Sequence, residues 1–127
     1  MHVQFAELPV VDQDRARAFY VDTLGCRLVA DVEMSPGGWR WVELALGDAQ
    51  THLHFVRRRA DQPADEPVMV LIDDDVAGVA ARLRTGGVEI VSEPGPAPYD
   101  PSRTVAVFRD SEGSQVVISS PEPARRS

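Results

Sequence analysis

Residues 8–29 and 70–91 are two versions of one segment. Asp12 answers to Asp74, Gly25 to Gly87 and Leu28 to Ile90, all at an interval of 62 residues. A repeat on this scale is one supersecondary unit written twice, and it spreads over nearly the whole chain. It implies a pseudo-symmetric molecule whose functional surface is expected where the two halves face each other.

Punctuation and period supply the coarse structure. Residues 3–11 read as a strand, and Asp12 then caps a helix whose apolar positions Ala16, Phe19, Tyr20 and Leu24 recur at helical spacing up to Gly25. Cys26 to Val32 is a strand, Pro36-Gly37-Gly38 a turn, Trp39 to Leu46 a strand, and Gly47-Asp48 turns the chain into a fourth strand, Thr51 to Val56. The second half restarts with a strand at Val68 to Ile72, a helix from Asp74 to Thr85 stopped by Gly86-Gly87, and a strand at Val88 to Val91. Ser92 to Ser102 holds four prolines and little apolar content, so it is expected to be a long loop acting as a lid or rim. Strands at Thr104 to Arg109 and Gln115 to Ser119 flank the turn Asp110-Ser-Glu-Gly113. The expected organisation is a βαβββ unit over residues 3–57, a polar linker at 58–66, a second βαβββ unit at 67–120 and a tail at 121–127, together an α+β domain with a curled mixed sheet.

Composition excludes several classes. With 127 residues and 43% apolar content the chain can bury a real core. Twenty carboxylates against thirteen Lys and Arg give a net charge of −7, which repels a phosphate backbone, so nucleic acid is not an expected partner. The runs Arg57-Arg58-Arg59 and Arg125-Arg126 are short and diluted by acids, and read as solvated surface. The one cysteine, Cys26, excludes an internal disulfide and reads as a buried small apolar group. Without an apolar run of membrane-spanning length or a signal-like N-terminus, the expected location is the cytoplasm.

The residues Leu8-Pro-Val-Val-Asp12, Arg15-Ala-Arg-Ala-Phe-Tyr20 and Leu24-Gly25 resemble the strand, cap and helix of the vicinal oxygen chelate superfamily, which includes glyoxalases, bleomycin-resistance proteins and extradiol dioxygenases. Gly38-Trp-Arg-Trp-Val-Glu-Leu44 is similar to a strand of its small bacterial members, and Asp110-Ser-Glu-Gly113 to its Asp-Pro-Asp-Gly turn, with serine in place of proline. The resemblance covers residues 3–120. It implies half-barrel units enclosing a small-molecule cavity, and pairing with a second copy of the chain is expected, as a homodimer of rough twofold symmetry.

Metal-dependent members of the family place ligands near the start of each unit's first strand and on each unit's last strand. The resemblance points to Phe5, Pro67, Val117 and His54 for these positions. Only His54 can donate, whereas a divalent metal wants three or more N and O donors, so no metal or other cofactor is expected at the family site. The alternative is a divalent metal at a displaced site on Glu7 and His54, helped by His52.

Strand alternation gives the remaining candidates. His52 and His54 share one face, and both meet the cavity if Leu53 and Phe55 pack under the helix; otherwise they lie on a solvent or dimer face. Glu7 lies opposite Leu8 and Val10, where it could act as a base, hold a cationic ligand or form a salt bridge at an interface. Trp39 and Trp41 share a face with Glu43, and Trp41 is the candidate stacking surface, with core or interface packing as the alternative. The candidate ligand-binding set is Phe5, Trp41, His52, His54, Met69, Tyr99 and Arg103, the last two at the expected rim, where Arg103 could pair with an anionic group. Glu7 and His54 are the catalytic candidates. Two functions follow: a metal-free binding protein that sequesters an aromatic or amphipathic metabolite or antibiotic, or a lyase, isomerase or dioxygenase using Glu7 and His54 as acid and base or as displaced metal ligands.

Overall fold

The computed structural model describes residues 1–59 and 65–122. The chain divides into two compact units, Met1–Pro63 and Ala64–Ser127, each carrying a four-stranded mixed sheet. In the first unit β1 (Phe5–Val10) is followed by α1 (Gln13–Ala18), which continues as a π-helical turn at Phe19–Thr23, and then by β2 (Arg27–Glu33), β3 (Arg40–Ala45) and β4 (His52–Arg57). The second unit repeats this as β5 (Met69–Ile72), α2 (Val76–Thr85), β6 (Ile90–Ala97), β7 (Asp100–Arg109) and β8 (Gln115–Ser119). Sheet orders β1-β4-β3-β2 and β5-β8-β7-β6 match, with first and last strands parallel and the other neighbours antiparallel. The fold is α+β, built from tandem βαβββ units. Part of the expected linker, residues 60–64, and part of the expected tail, residues 123–127, lie outside the described residues.

Each unit has its own core. Alternation puts Leu8 and Val10, Val42 and Leu44, Leu53 and Phe55 on one face of the first sheet, all buried, with Ala16 and Tyr20 of the helical segment also fully enclosed. The Tyr20 and Phe55 rings meet at 6.1 Å. In the second unit Ala106, Phe108, Val116 and Ile118 are buried along with Val76, Val79, Ala80 and Leu83 of α2. Each such large apolar side chain contributes roughly 1.5–3 kcal/mol when fully buried.

The repeat is not in constant register. Asp12 caps α1 by accepting from Arg15 N at 3.0 Å, but α2 is capped by Asp75, which accepts from Gly78 N at 2.9 Å, and not by the expected Asp74. Both helices end before a glycine in the left-handed region, Gly25 at φ 92° and Gly87 at φ 86°. Cap to glycine is thirteen positions in the first unit and twelve in the second. The π-helical turn at Phe19–Thr23 absorbs the extra residue, since a π turn is a one-residue insertion into a helix. Upstream of the helices the interval is therefore 63: Leu8 pairs with Phe55 as Leu71 pairs with Ile118.

That single residue reverses two expectations, because a one-residue slip carries a side chain to the other face of a sheet. The counterpart of Phe5 is Val68 and not Pro67. Met69 pairs with the fully buried Val116 and so lies on the helix-facing side, not on the open face.

The expected long loop at Ser92–Ser102 is instead a hairpin, formed by β6 and the start of β7. Pro94 and Pro96 are tolerated because β6 is the edge strand and the ladder shifts register between Ile90 and Ser92, Ser92 and Gly95, and Pro96 and Ala97. Only a short turn at Pro98 and Tyr99 interrupts the ribbon.

Candidate functional site

With Leu53 and Phe55 committed to the core, His52 and His54 project from the open face of the first sheet. The ladder sets Glu7 and Glu43 on either side of His54, and Phe5 beside His52. Phe5, Trp41 and His54 form one aromatic cluster: Trp41 stacks on His54 at 4.6 Å and 25°, and Phe5 stands edge-on to Trp41 at 5.4 Å and to His54 at 5.1 Å. Glu43 bridges it to His52, accepting from Trp41 Nε1 at 3.3 Å and lying 2.6 Å from His52 Nδ1. Hydrogen bonding to His52, and more weakly to Trp41, outweighs desolvation and holds the Glu43 carboxyl below its ordinary value.

Glu7 departs from the expected cavity-held carboxylate. Its side chain is 64% exposed and its Oε1 is 3.6 Å from His54 Nε2, beyond hydrogen-bond reach. Its neighbours on the helix face, Leu8 and Val10, are core residues, but alternation turns Glu7 itself toward water.

Trp41 and His54 of this cluster line an open groove of about 950 Å³ drawn from the first unit, whereas Phe5 and His52 are not among its residues. Its walls include Pro9, Met34 and Trp39, and Arg57, Arg58 and Arg59 also line it. The arginine run, expected to be featureless surface, is thus part of the site, with the Arg57 guanidinium 4.9 Å above the Trp39 ring. Trp39 lies eighteen positions before Arg57, so no local pattern announces the contact.

The start of β3, between Trp39 and Trp41, is anchored by Gln13. Its side-chain amide donates to Arg40 O at 2.8 Å and accepts from Arg40 N at 3.0 Å, acting as a ladder partner at the start of β3. The Arg40 side chain pairs with Asp31 at 2.8 Å and Asp14 at 2.7 Å, while Arg17 also pairs with Asp31 at 2.7 Å. These bonds, Arg40's first, pull the Asp31 carboxyl below its ordinary value. Glutamine on a helix carries no sequence signal for this role; the pairing exists only once α1 lies against β3.

The second unit presents a different face. Val70 and Val117 occupy the positions equivalent to Glu7 and His54. Met69, Tyr99 and Arg103 are not among the residues of the groove. Tyr99 is exposed at the ribbon turn, and Arg103 lies on β7 with its guanidinium donating to Ser120 O at 3.0 Å and 3.3 Å.

The family's metal does not fit. Phe5, Val68 and Val117 offer no lone pair and leave His54 alone, and among the described residues no three His, Cys, Asp or Glu side chains converge.

The first unit of this tandem βαβββ chain thus carries an open groove with two tryptophans on its wall. The sequence matches the Glyoxalase/Bleomycin resistance protein/Dioxygenase superfamily over residues 2–118, and the chain belongs to that family. It is 29% identical over 112 residues to the uncharacterized protein YetH of Bacillus subtilis (strain 168), covering 86% of this chain and 89% of YetH. Among solved structures it is similar to TnmS3, an antibiotic binding protein from Streptomyces sp. CB03234, at 33% identity and TM-score 0.77 with 96% and 97% of the two chains covered. A superfamily member from Sphaerobacter thermophilus DSM 20745 is 26% identical with TM-score 0.81, covering 95% of this chain and 98% of its own.

Proposed function

We propose that this protein is a metal-independent small-molecule binding protein that sequesters an aromatic or amphipathic metabolite or antibiotic. The Trp41–His54 stack carries the reading: a planar surface braced edge-on by Phe5 and hydrogen-bonded through Glu43, at the floor of a groove of about 950 Å³. Such a surface binds rings through contact area and dispersion, with polar groups fixing orientation. The likeness to an antibiotic binding protein supports the same reading. The acid–base alternative is less well served, because Glu7 sits in water and lacks the burial that tunes a general base.

Titration with planar aromatic compounds, read by quenching of tryptophan fluorescence, tests this. Saturable quenching is expected, and Trp41→Ala should weaken it several-fold to about tens-fold, from a contact contributing roughly 0.5–1.5 kcal/mol beyond area burial. Absence of saturable quenching, or indifference to Trp41→Ala, would refute it. His54→Ala should change affinity or its pH dependence; loss of a turnover with affinity kept would instead mark an enzyme.

The same proposal includes a homodimer, since isologous pairing is the commonest closed symmetry. Light scattering should return twice the 13.9 kDa chain mass, and a monomer mass would count against it.

A further inference from the structure

Resting on the binding reading, we propose that the ligand is an aromatic ring carrying a neutral, polyhydroxylated substituent such as a sugar, with the ring on the Trp41–His54 stack and the hydroxyl groups in a second cavity beside the groove. That cavity, of about 490 Å³, belongs to the same unit and falls within the size range of small-ligand sites. Its lining includes Asp12, Gln13, Asp14, Trp39, Arg40 and Arg57. Trp39, Arg40 and Arg57 line the aromatic groove as well, so the two cavities adjoin along these residues. A ligand leaving the stack can pass along Trp39 from an apolar wall to a polar one.

The charge of the second cavity selects the substituent. Its ionised residues are two carboxylates, Asp12 and Asp14, and two guanidiniums, Arg40 and Arg57. Asp14 and Arg40 are paired at 2.7 Å, and Arg40 also holds Asp31 at 2.8 Å. An anion placed there would meet both carboxylates and compete with Asp14 for Arg40, and a cation would meet both guanidiniums and compete with Arg40 for Asp14. A hydroxyl group does neither, because it donates to a carboxylate and accepts from a guanidinium without parting the pair. Arg40 engages Asp14 through Oδ1, and the Asp14 side chain is 83% exposed, so a ligand hydroxyl can reach its other oxygen. The Arg57 guanidinium, held 4.9 Å from the centre of the Trp39 ring, has in-plane N–H groups that donate to a hydroxyl oxygen. Trp39 adds apolar surface beside these polar groups, which suits the C–H groups of a sugar ring.

Three probes with one ring system separate these cases by calorimetry: β-naphthol, β-naphthyl glucoside and β-naphthyl sulfate. The glucoside is expected to bind about tenfold tighter than the naphthol, through hydrogen bonds to charged partners, and to keep that preference in about 500 mM NaCl. The sulfate should gain nothing over the naphthol. Asp14→Ala should remove most of the glucoside preference, since Asp14 lines the second cavity and not the groove, with unchanged thermal unfolding reporting an intact fold. Trp41→Ala should weaken all three probes. Equal affinities for naphthol and glucoside, a sulfate that gains as much as the glucoside, or a preference that survives Asp14→Ala would overturn the sugar proposal, and if Trp41→Ala still weakened binding, the binding reading would stand. Binding of none of the probes, or indifference of all three to Trp41→Ala, would bring down the binding reading and this proposal with it.

Discussion

Cys26 shows how one position sets a side chain's chemistry. It follows the left-handed Gly25 and is buried, and burial pushes its thiol up to about 11. The thiolate is the nucleophile, so at about pH 8 the folded protein should react with a disulfide reagent far more slowly than in denaturant. Comparable rates in the two conditions would contradict this. Glu43 illustrates the opposite case, a carboxylate kept ionised by its partners. Glu43→Gln keeps an acceptor for Trp41 Nε1 but loses the charge beside His52, and should weaken the His52 hydrogen bond, read as a shift of the His52 ring resonances by NMR. Unchanged His52 ring resonances would show that the 2.6 Å contact is not maintained in solution.

At the scale of elements, the caps distinguish the two copies of the repeat. Asp75→Ala removes the α2 cap and should cost about 1 kcal/mol in denaturant unfolding, whereas Asp74→Ala should change stability by no more than a few tenths. The reverse order would restore the constant interval of 62. Gln13 ties an element to the site: Gln13→Ala leaves Arg40 N–H and C=O without their side-chain partner and should cost roughly 1–3 kcal/mol. It should also weaken aromatic ligands, because Trp39 and Trp41 flank the freed residue. Unchanged stability and affinity together would show that β3 holds itself.

At the scale of the molecule, acid stability follows from Asp31 and Glu43, whose carboxyls are held below ordinary values of 3.8 and 4.5 in the fold. A depressed folded pKa contributes stability above the unfolded value and loses it as pH falls through the folded one. Denaturant midpoints should thus be insensitive to these groups near neutrality and fall below about pH 4.5, with Asp31→Asn flattening part of the acid limb. A wild-type midpoint that held level to pH 3 would remove these ion pairs from the account. The repeat, its glycines and its alternating strands were enough to read two βαβββ units, because caps, left-handed turns and strand faces are local consequences of residue type. Alternation likewise grouped His52 with His54 and Trp39 with Trp41 and Glu43, but left open which way each strand faced. What local pattern could not carry was register and company. The extra residue of the π turn put the repeat out by one, so that Met69 lies on the core side, the edge position of β6 turned a proline-rich stretch into a strand, and Glu7 lies exposed on the open face of the first sheet. Arg57 to Arg59 read as solvated charge until the fold set them along the groove that Trp39 and Trp41 also line, with Arg57 over the Trp39 ring, for a cation's role depends on what the fold brings within a few ångströms of it, and those neighbours are distant in the chain.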